Sequence, residues 1–193
     1  MRPSKPKRTR LSPEDRYQQL VDIAVEMLLT EQLDELTVER VAEIAGVSKA
    51  LIFHYFPTVR ALRLAALEVA ARRLVDDITQ AVAAAVESGT ELRSGVEAFV
   101  TFIHERPTTF DALSVMAATD EEFGHLFQAV RDQAAALVSV GLRIEPTELG
   151  WLLIGGWVAL VEQTVRAWVT KPGGVSYDTL VSSTPDAEAL TVP

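Results

Sequence analysis

Three histidines, His54, His104 and His125, are the only imidazoles in the chain, and it has no cysteine. Without cysteine there is neither a disulfide framework nor a thiolate metal site. Glu122 and His125 have the Glu-x-x-His spacing that places both side chains on one helix face. Two such pairs, with further glutamates, hold the metals of di-iron carboxylate bundles. Only one copy is present, and Asp120-Glu121-Glu122 reads better as the start of a helix, where acids meet the positive end of the dipole. No phosphate-cradling glycine loop, nucleophile elbow or zinc signature occurs. The residues therefore argue against an enzyme, a bound metal or a cofactor. What they offer instead is contact chemistry. Ser48 and Lys49 open a short segment with hydroxyl, ammonium and free backbone amides, an anion-attracting helix start. Phe53, His54 and Tyr55 follow on what would be its exposed flank, where the phosphates of a nucleic acid would lie.

Those groups need a scaffold, and the surrounding window, TVERVAEIAGVSKALIFHYFPTVRAL from Thr37 to Leu62, supplies it. Thr37 can cap a short helix carrying Val38, Val41, Ala42 and Ala45. Gly46 ends it in the usual manner of a helix C-terminus. Ser48 caps a second helix from Lys49 to about Phe56, which Pro57 breaks. Two short helices joined by a glycine-containing turn describe a helix-turn-helix, in which the first helix braces the second and the second enters a major groove. Ile52 and Phe56 belong to the core of this unit rather than to its contact surface.

Helical signals continue on both sides. Ser12-Pro13-Glu14-Asp15 is a helix start, with Leu20, Ile23, Ala24, Met27 and Leu28 on one apolar face as far as Thr30. Thr58 can cap a long fourth helix through Leu62, Ala66, Leu67 and Ala70. Beyond Gly89 the spacing predicts helices over about 92–105, 107–118, 121–141, 146–169 and 177–183, punctuated by Pro107, Pro146 and the Pro172-Gly173-Gly174 cluster. No alternating strand pattern or internal repeat appears. The expected fold class is all-α: an N-terminal three-helix helix-turn-helix DNA-binding domain plus a larger helical ligand-binding and dimerisation domain. The expected divisions are a flexible basic arm over 1–12, the DNA-binding domain over 13–57, and the larger domain over 58–193, with a loose tail after Ser182.

The ordered motif T-V-x-x-V-A-x-x-A-G-V-S-x-x-x-I-F-H-Y-F-P-T, followed by A-L, closely resembles the DNA-binding signature of the TetR family of regulators, over roughly residues 17–67. The absence of cysteine fits a reducing cytoplasm, and a reader of palindromic double-stranded operator DNA needs a second copy, so a cytoplasmic homodimer is expected. The resemblance implies a phosphate contact for Thr37, base-edge contacts for Lys49 and Ala50, and phosphate contacts for His54 and Tyr55. Two positions depart from the family pattern. Phe53 stands where a tyrosine is frequent, removing one hydroxyl. Val59 replaces a common lysine, so Arg60 or Arg63 would substitute, or affinity would lean on the basic arm; such arms enter the minor groove in other regulators. The alternative is a helical interaction or ligand-binding protein that has lost operator binding.

Charge distribution fits a DNA reader better than the overall balance does. The net charge is −9, yet residues 1–60 hold nine basic and nine acidic side chains, while residues 61–193 hold nine and eighteen. Arg2, Lys5, Lys7, Arg8 and Arg10 place positive potential at one end. The longest uncharged apolar run, Leu149–Val161, is thirteen residues, too short to cross a bilayer as a helix, so no membrane partner is expected.

That run lies in a segment apolar nearly all round, which must be covered on all faces. Gly155 and Gly156 would permit close approach of a mate, or the helix could be wholly intramolecular core. By resemblance, a second helix starting near Tyr177 would complete a dimer interface, and a ligand pocket lies between the fourth and eighth helices. The candidate lining is Phe99, Phe102, Ile103, His104, Met116, Phe127, Trp157, Val161, Gln163 and Thr164, with Phe110, Val130 and Trp168 beside them. Glu162, Gln163, Thr164 and His104 interrupt apolar surroundings and are candidates to orient a ligand. A mostly apolar pocket implies a small apolar or amphipathic effector such as a lipid-derived acid, a steroid-like molecule or an aromatic compound.

Overall fold

The computed structural model describes residues 11–31, 33–142, 147–171 and 173–183. The expected basic arm lies outside these residues except for Leu11 and Ser12, and so does nearly all of the tail. Among the described residues every regular element is helical, and the chain divides into two compact units, Met1–Ala66 and Leu67–Pro193.

In the first unit, α1 spans Pro13–Thr30, with Ser12 accepting a hydrogen bond from the Asp15 amide at 3.0 Å. A single 3-10 turn, Leu33–Glu35, leads to Leu36, which is fully buried. α2 runs Val38–Ala45 and α3 runs Lys49–Tyr55. Thr37 Oγ1 accepts from the Arg40 amide at 3.3 Å, and Ser48 Oγ from the Leu51 amide at 3.3 Å. Between the helices Gly46 adopts φ 64°, ψ 39°, a left-handed conformation that a Cβ disfavours. The apolar positions of the three helices then meet: Leu20, Val25 and Leu28 of α1, Val38 and Val41 of α2, and Ile52 of α3 are buried, with Phe56 just beyond. α4 spans Val59–Ala84, and its start is fixed by Thr58, which accepts from the Ala61 amide at 3.0 Å. Within the same unit, Arg63 donates through Nε and Nη2 to the Leu36 carbonyl at 3.3 and 3.2 Å.

In the second unit α4 gives way to a 3-10 turn at Val86–Ser88, then α5 (Glu91–Glu105), α6 (Pro107–Thr119), α7 (Glu121–Leu142), α8 (Glu148–Thr170) and α9 (Tyr177–Ser182). α7 packs on α6 and α8, and α5 packs on α8 and α9. The core between them holds Val100, Ile103, Phe110, Phe123, Ile154, Val161 and Val165. α9 has only six residues, too few to hold by helix propensity. It is held by side chains: Trp168 Nε1 donates to the Val175 carbonyl at 2.8 Å, the Tyr177 hydroxyl meets Thr101 Oγ1 at 2.8 Å, and Leu180 and Val181 are buried. No helix among the described residues is long and apolar enough to cross a membrane.

α8 resolves the question of its all-round apolar sequence. Ile154, Trp157, Val158, Val161, Val165 and Trp168 are buried in the unit, whereas Leu149, Trp151, Leu152 and Leu160 are exposed. Gly155 and Gly156 are exposed too, and a Cβ built at either would meet no atom within 4 Å.

Candidate nucleic-acid interface and ligand cleft

α3 is divided sharply into two sides. Ile52 and Phe56 are inside, as the spacing predicts, while Lys49, Ala50, Phe53 and His54 are exposed and Tyr55 is half-buried. Phe53, at 47% exposed, is a large apolar ring in water. Tyr17 of α1 stacks on Phe56 at 5.1 Å and tilts toward Tyr55 at 6.4 Å, and His54 meets the edge of Tyr55 at 5.2 Å. This aromatic group braces the C-terminal end of α3 against α1 and fixes the direction of the Tyr55 ring. Ser48 and Arg60 are exposed, and Thr37 is half-buried with its hydroxyl turned to the α2 amides.

One member of this surface was not read from sequence. Glu39, in the first turn of α2, accepts through Oε1 from Lys49 Nζ at 2.5 Å. The hydrogen bond from Lys49 holds the Glu39 carboxyl below the usual carboxylate range. The two residues are ten apart across a turn, so no helical period links them, and only the crossing of α2 and α3 brings them together. A second pair, Arg40 Nη2 to Glu31 Oε1 at 2.8 Å, ties α2 to the end of α1.

The second unit contains an apolar cleft walled by α4, α5, α7 and α8. Of the candidate lining, Phe99, Val130, Trp157 and Val161 border it. Phe127, Gln163 and Phe110 instead border a neighbouring, more polar cleft with Arg131, Glu162 and Arg166. The remaining candidates are placed elsewhere. Phe102 and Ile103 are buried in the core, Met116 is half-buried on α6, and Thr164 is exposed on α8. His104 is exposed beside Trp168 and Tyr177, at ring distances of 5.2 and 6.1 Å. Sequence reading missed Leu74, Ile78 and Val82, the α4 wall of the apolar cleft.

The polar groups of the cleft are few. Arg131 of α7 donates through Nε and Nη2 to Glu162 Oε2 of α8 at 2.9 and 2.6 Å, with its guanidinium 5.0 Å from the Phe127 ring centre. Trp157 is 5% exposed, and its Nε1 is a buried donor without a hydrogen-bond partner. Glu122 and His125 are both exposed, and among the described residues no group of three or more His, Asp or Glu side chains is placed to hold a metal.

A braced second helix with an exposed polar side, joined by a tight left-handed turn to the helix behind it, is the reading head of a helix-turn-helix DNA-binding protein. Sequence comparison agrees. Residues 20–66 match the family model of bacterial regulatory proteins of the tetR family, and residues 88–189 match that of the tetracyclin repressor-like C-terminal domain. The chain belongs to the TetR family and is a DNA-binding transcriptional regulator. It is 25% identical to the HTH-type transcriptional activator FasR of Mycolicibacterium smegmatis, over 91% of this chain and 82% of that protein. It is 49% identical to the HTH-type transcriptional regulator LuxR of Vibrio harveyi over 51 residues, 26% of this chain and 25% of that protein. A tetR-family regulator from Streptomyces coelicolor shares the fold with a TM-score of 0.75 at 24% identity, covering 93% of this chain and 82% of that one. The fatty acid degradation regulator FadR of Bacillus halodurans does so with a TM-score of 0.66 at 16% identity, covering 94% and 96%.

Proposed function

We propose that two copies of this chain grip a palindromic operator as a repressor and that a small apolar effector in the α4–α5–α7–α8 cleft releases them. Residues 13–57 form the reading head, and residues 58–193 sense the effector and pair the subunits. The observation that carries DNA reading is the division of α3: Ile52 is buried in the core, with Phe56 just beyond, while Lys49, Ala50, Phe53 and His54 are exposed. Lys49 and Ala50 face base edges; Thr37, Ser48, His54, Tyr55 and Arg60 face phosphates, and Phe53 packs on the sugar-phosphate flank without the missing hydroxyl.

Pairing uses the exposed side of α8. Leu149, Leu152 and Leu160 are apolar groups left in water by the single chain, and Gly155 and Gly156 let a second backbone approach. Family members bind DNA and act as dimers, which fits this use. The cleft supports an effector with an apolar body and one hydrogen-bond acceptor, because Trp157 Nε1 lacks a partner and Arg131 is already paired with Glu162. The signal would run along α4, which is continuous from Val59 to Ala84 and carries cleft residues in its second half. Moving the population from mostly bound to mostly released takes a differential affinity of about 5.5 kcal/mol.

The test is a gel shift with the chain's own upstream DNA across a salt series, then titration of the complex with fatty acids, fatty alcohols and steroids. Operator binding should weaken steeply as salt rises. A compound that binds tightly without moving DNA affinity would overturn the release model. Activation is the second reading, favoured because FasR, similar over most of the chain, is an activator. A reporter whose output falls on deletion of the regulator would select it.

A further inference from the structure

The DNA-reading surface described above leaves Glu39 without a role. A carboxylate in such a surface is repelled by every phosphate that approaches, so a head built only to hold the DNA backbone would be better without it. Glu39 nevertheless stands on the first turn of α2 with its Oε1 against the ammonium of Lys49, on the first turn of α3, and both side chains are exposed.

We propose that Glu39 and Lys49 together read a single G·C base pair, with Glu39 as the residue that sets specificity. The inference rests on the operator reading and deepens it. In the major groove guanine offers two adjacent acceptors, N7 and O6, and the paired cytosine offers the N4 donor beside O6. An ammonium has three donors and no acceptor, and a carboxylate accepts only. Lys49 can therefore spend two donors on N7 and O6 and keep the third on Glu39, while Glu39 takes the N4 hydrogen. An A·T pair has no two adjacent acceptors, because the N6 donor separates N7 from O4, and the thymine methyl lies beside O4. The match also fixes which strand carries the guanine. The hydrogen bond between the two side chains holds them side by side before DNA arrives, so the pair arrives already ordered.

The experiment is selection of binding sites from a random duplex pool by the full-length chain, with the wild type, Glu39→Ala, Glu39→Gln, Lys49→Ala and, as a charge control on the same helix, Glu43→Gln. The wild type should enrich an inverted motif with one G·C pair fixed in each half. Glu39→Ala should lower the preference for that pair by about tenfold, leave the other positions unchanged, and raise affinity for unselected DNA. Glu39→Gln should shift the same position toward A·T, since glutamine pairs with adenine N6 and N7. Lys49→Ala should relax that same position, and Glu43→Gln should change overall affinity alone. If Glu39→Ala enriches the wild-type motif with unchanged preference at every position, the inference is wrong while operator reading stands. If the wild type enriches no sequence at all, operator reading falls and the inference with it.

Discussion

Arg131 and Glu162 join α7 to α8 through one carboxylate oxygen: both Nε and Nη2 of the arginine donate to Oε2, at 2.9 and 2.6 Å. The two ends are unequally wet, with side-chain exposures of 42% for Arg131 and 13% for Glu162. Removing the arginine strands the drier partner. We expect Arg131→Ala to lower unfolding free energy by about 2 kcal/mol and Glu162→Ala by about 1, in urea at neutral pH. An Arg131→Ala deficit no larger than that of Glu162→Ala would contradict this.

α2 is held by stops at both ends. Thr37→Ala loses the hydroxyl that accepts from the Arg40 amide and should cost about 1 kcal/mol, with Thr37→Ser restoring most of it. Gly46→Ala places a Cβ on a residue at φ 64° and should cost about 1–2 kcal/mol. Chemical denaturation monitored by far-UV circular dichroism would measure both. Cost-free replacement at Gly46 would mean that the turn can adopt another conformation.

Leu152 is 73% exposed on α8. Leu152→Glu should leave the subunit as stable as before, because the side chain loses little packing, yet convert dimers to monomers and weaken operator binding. Sedimentation velocity gives the mass directly; an unchanged dimer would place the interface on another surface.

Ala134 borders the apolar cleft from α7. Ala134→Leu should fill part of it while sparing the reading head. Binding of the neutral fluorophore N-phenyl-1-naphthylamine should weaken about tenfold, with DNA affinity intact. Equal fluorophore affinity in the variant would mean that the probe, and by extension the effector, sits elsewhere.

The parts legible in sequence are those with local causes. Ser12, Thr37, Ser48 and Thr58 each satisfy amides three residues ahead, so the starts of α1 to α4 could be placed from residue type alone. The inside of α3 followed from Ile52 and Phe56. What could not be read depends on packing between elements. Phe99, Phe102 and Ile103 are near neighbours on α5, yet Phe99 reaches the cleft and the other two fill the core. An apolar side chain carries no mark that separates cavity wall from interior, which is also why Leu74, Ile78 and Val82 were overlooked. The 3-10 turns at Leu33–Glu35 and Val86–Ser88 left no periodic trace because each is a single turn. Nor did the Glu39–Lys49 pair, which exists only through the crossing of two helices.

Gly155 and Gly156 bear on how the subunit balances solitude against company. Each lies within a helix, where glycine is about 1 kcal/mol less favourable than alanine, and neither has an atom of its own subunit close enough to object to a methyl group. Alanine at both sites would give a sturdier lone chain. The same two methyl groups would hold a facing backbone further off, so the monomer should gain thermal resistance as the pair loses tightness, two quantities that a single melting curve read at several protein concentrations would separate.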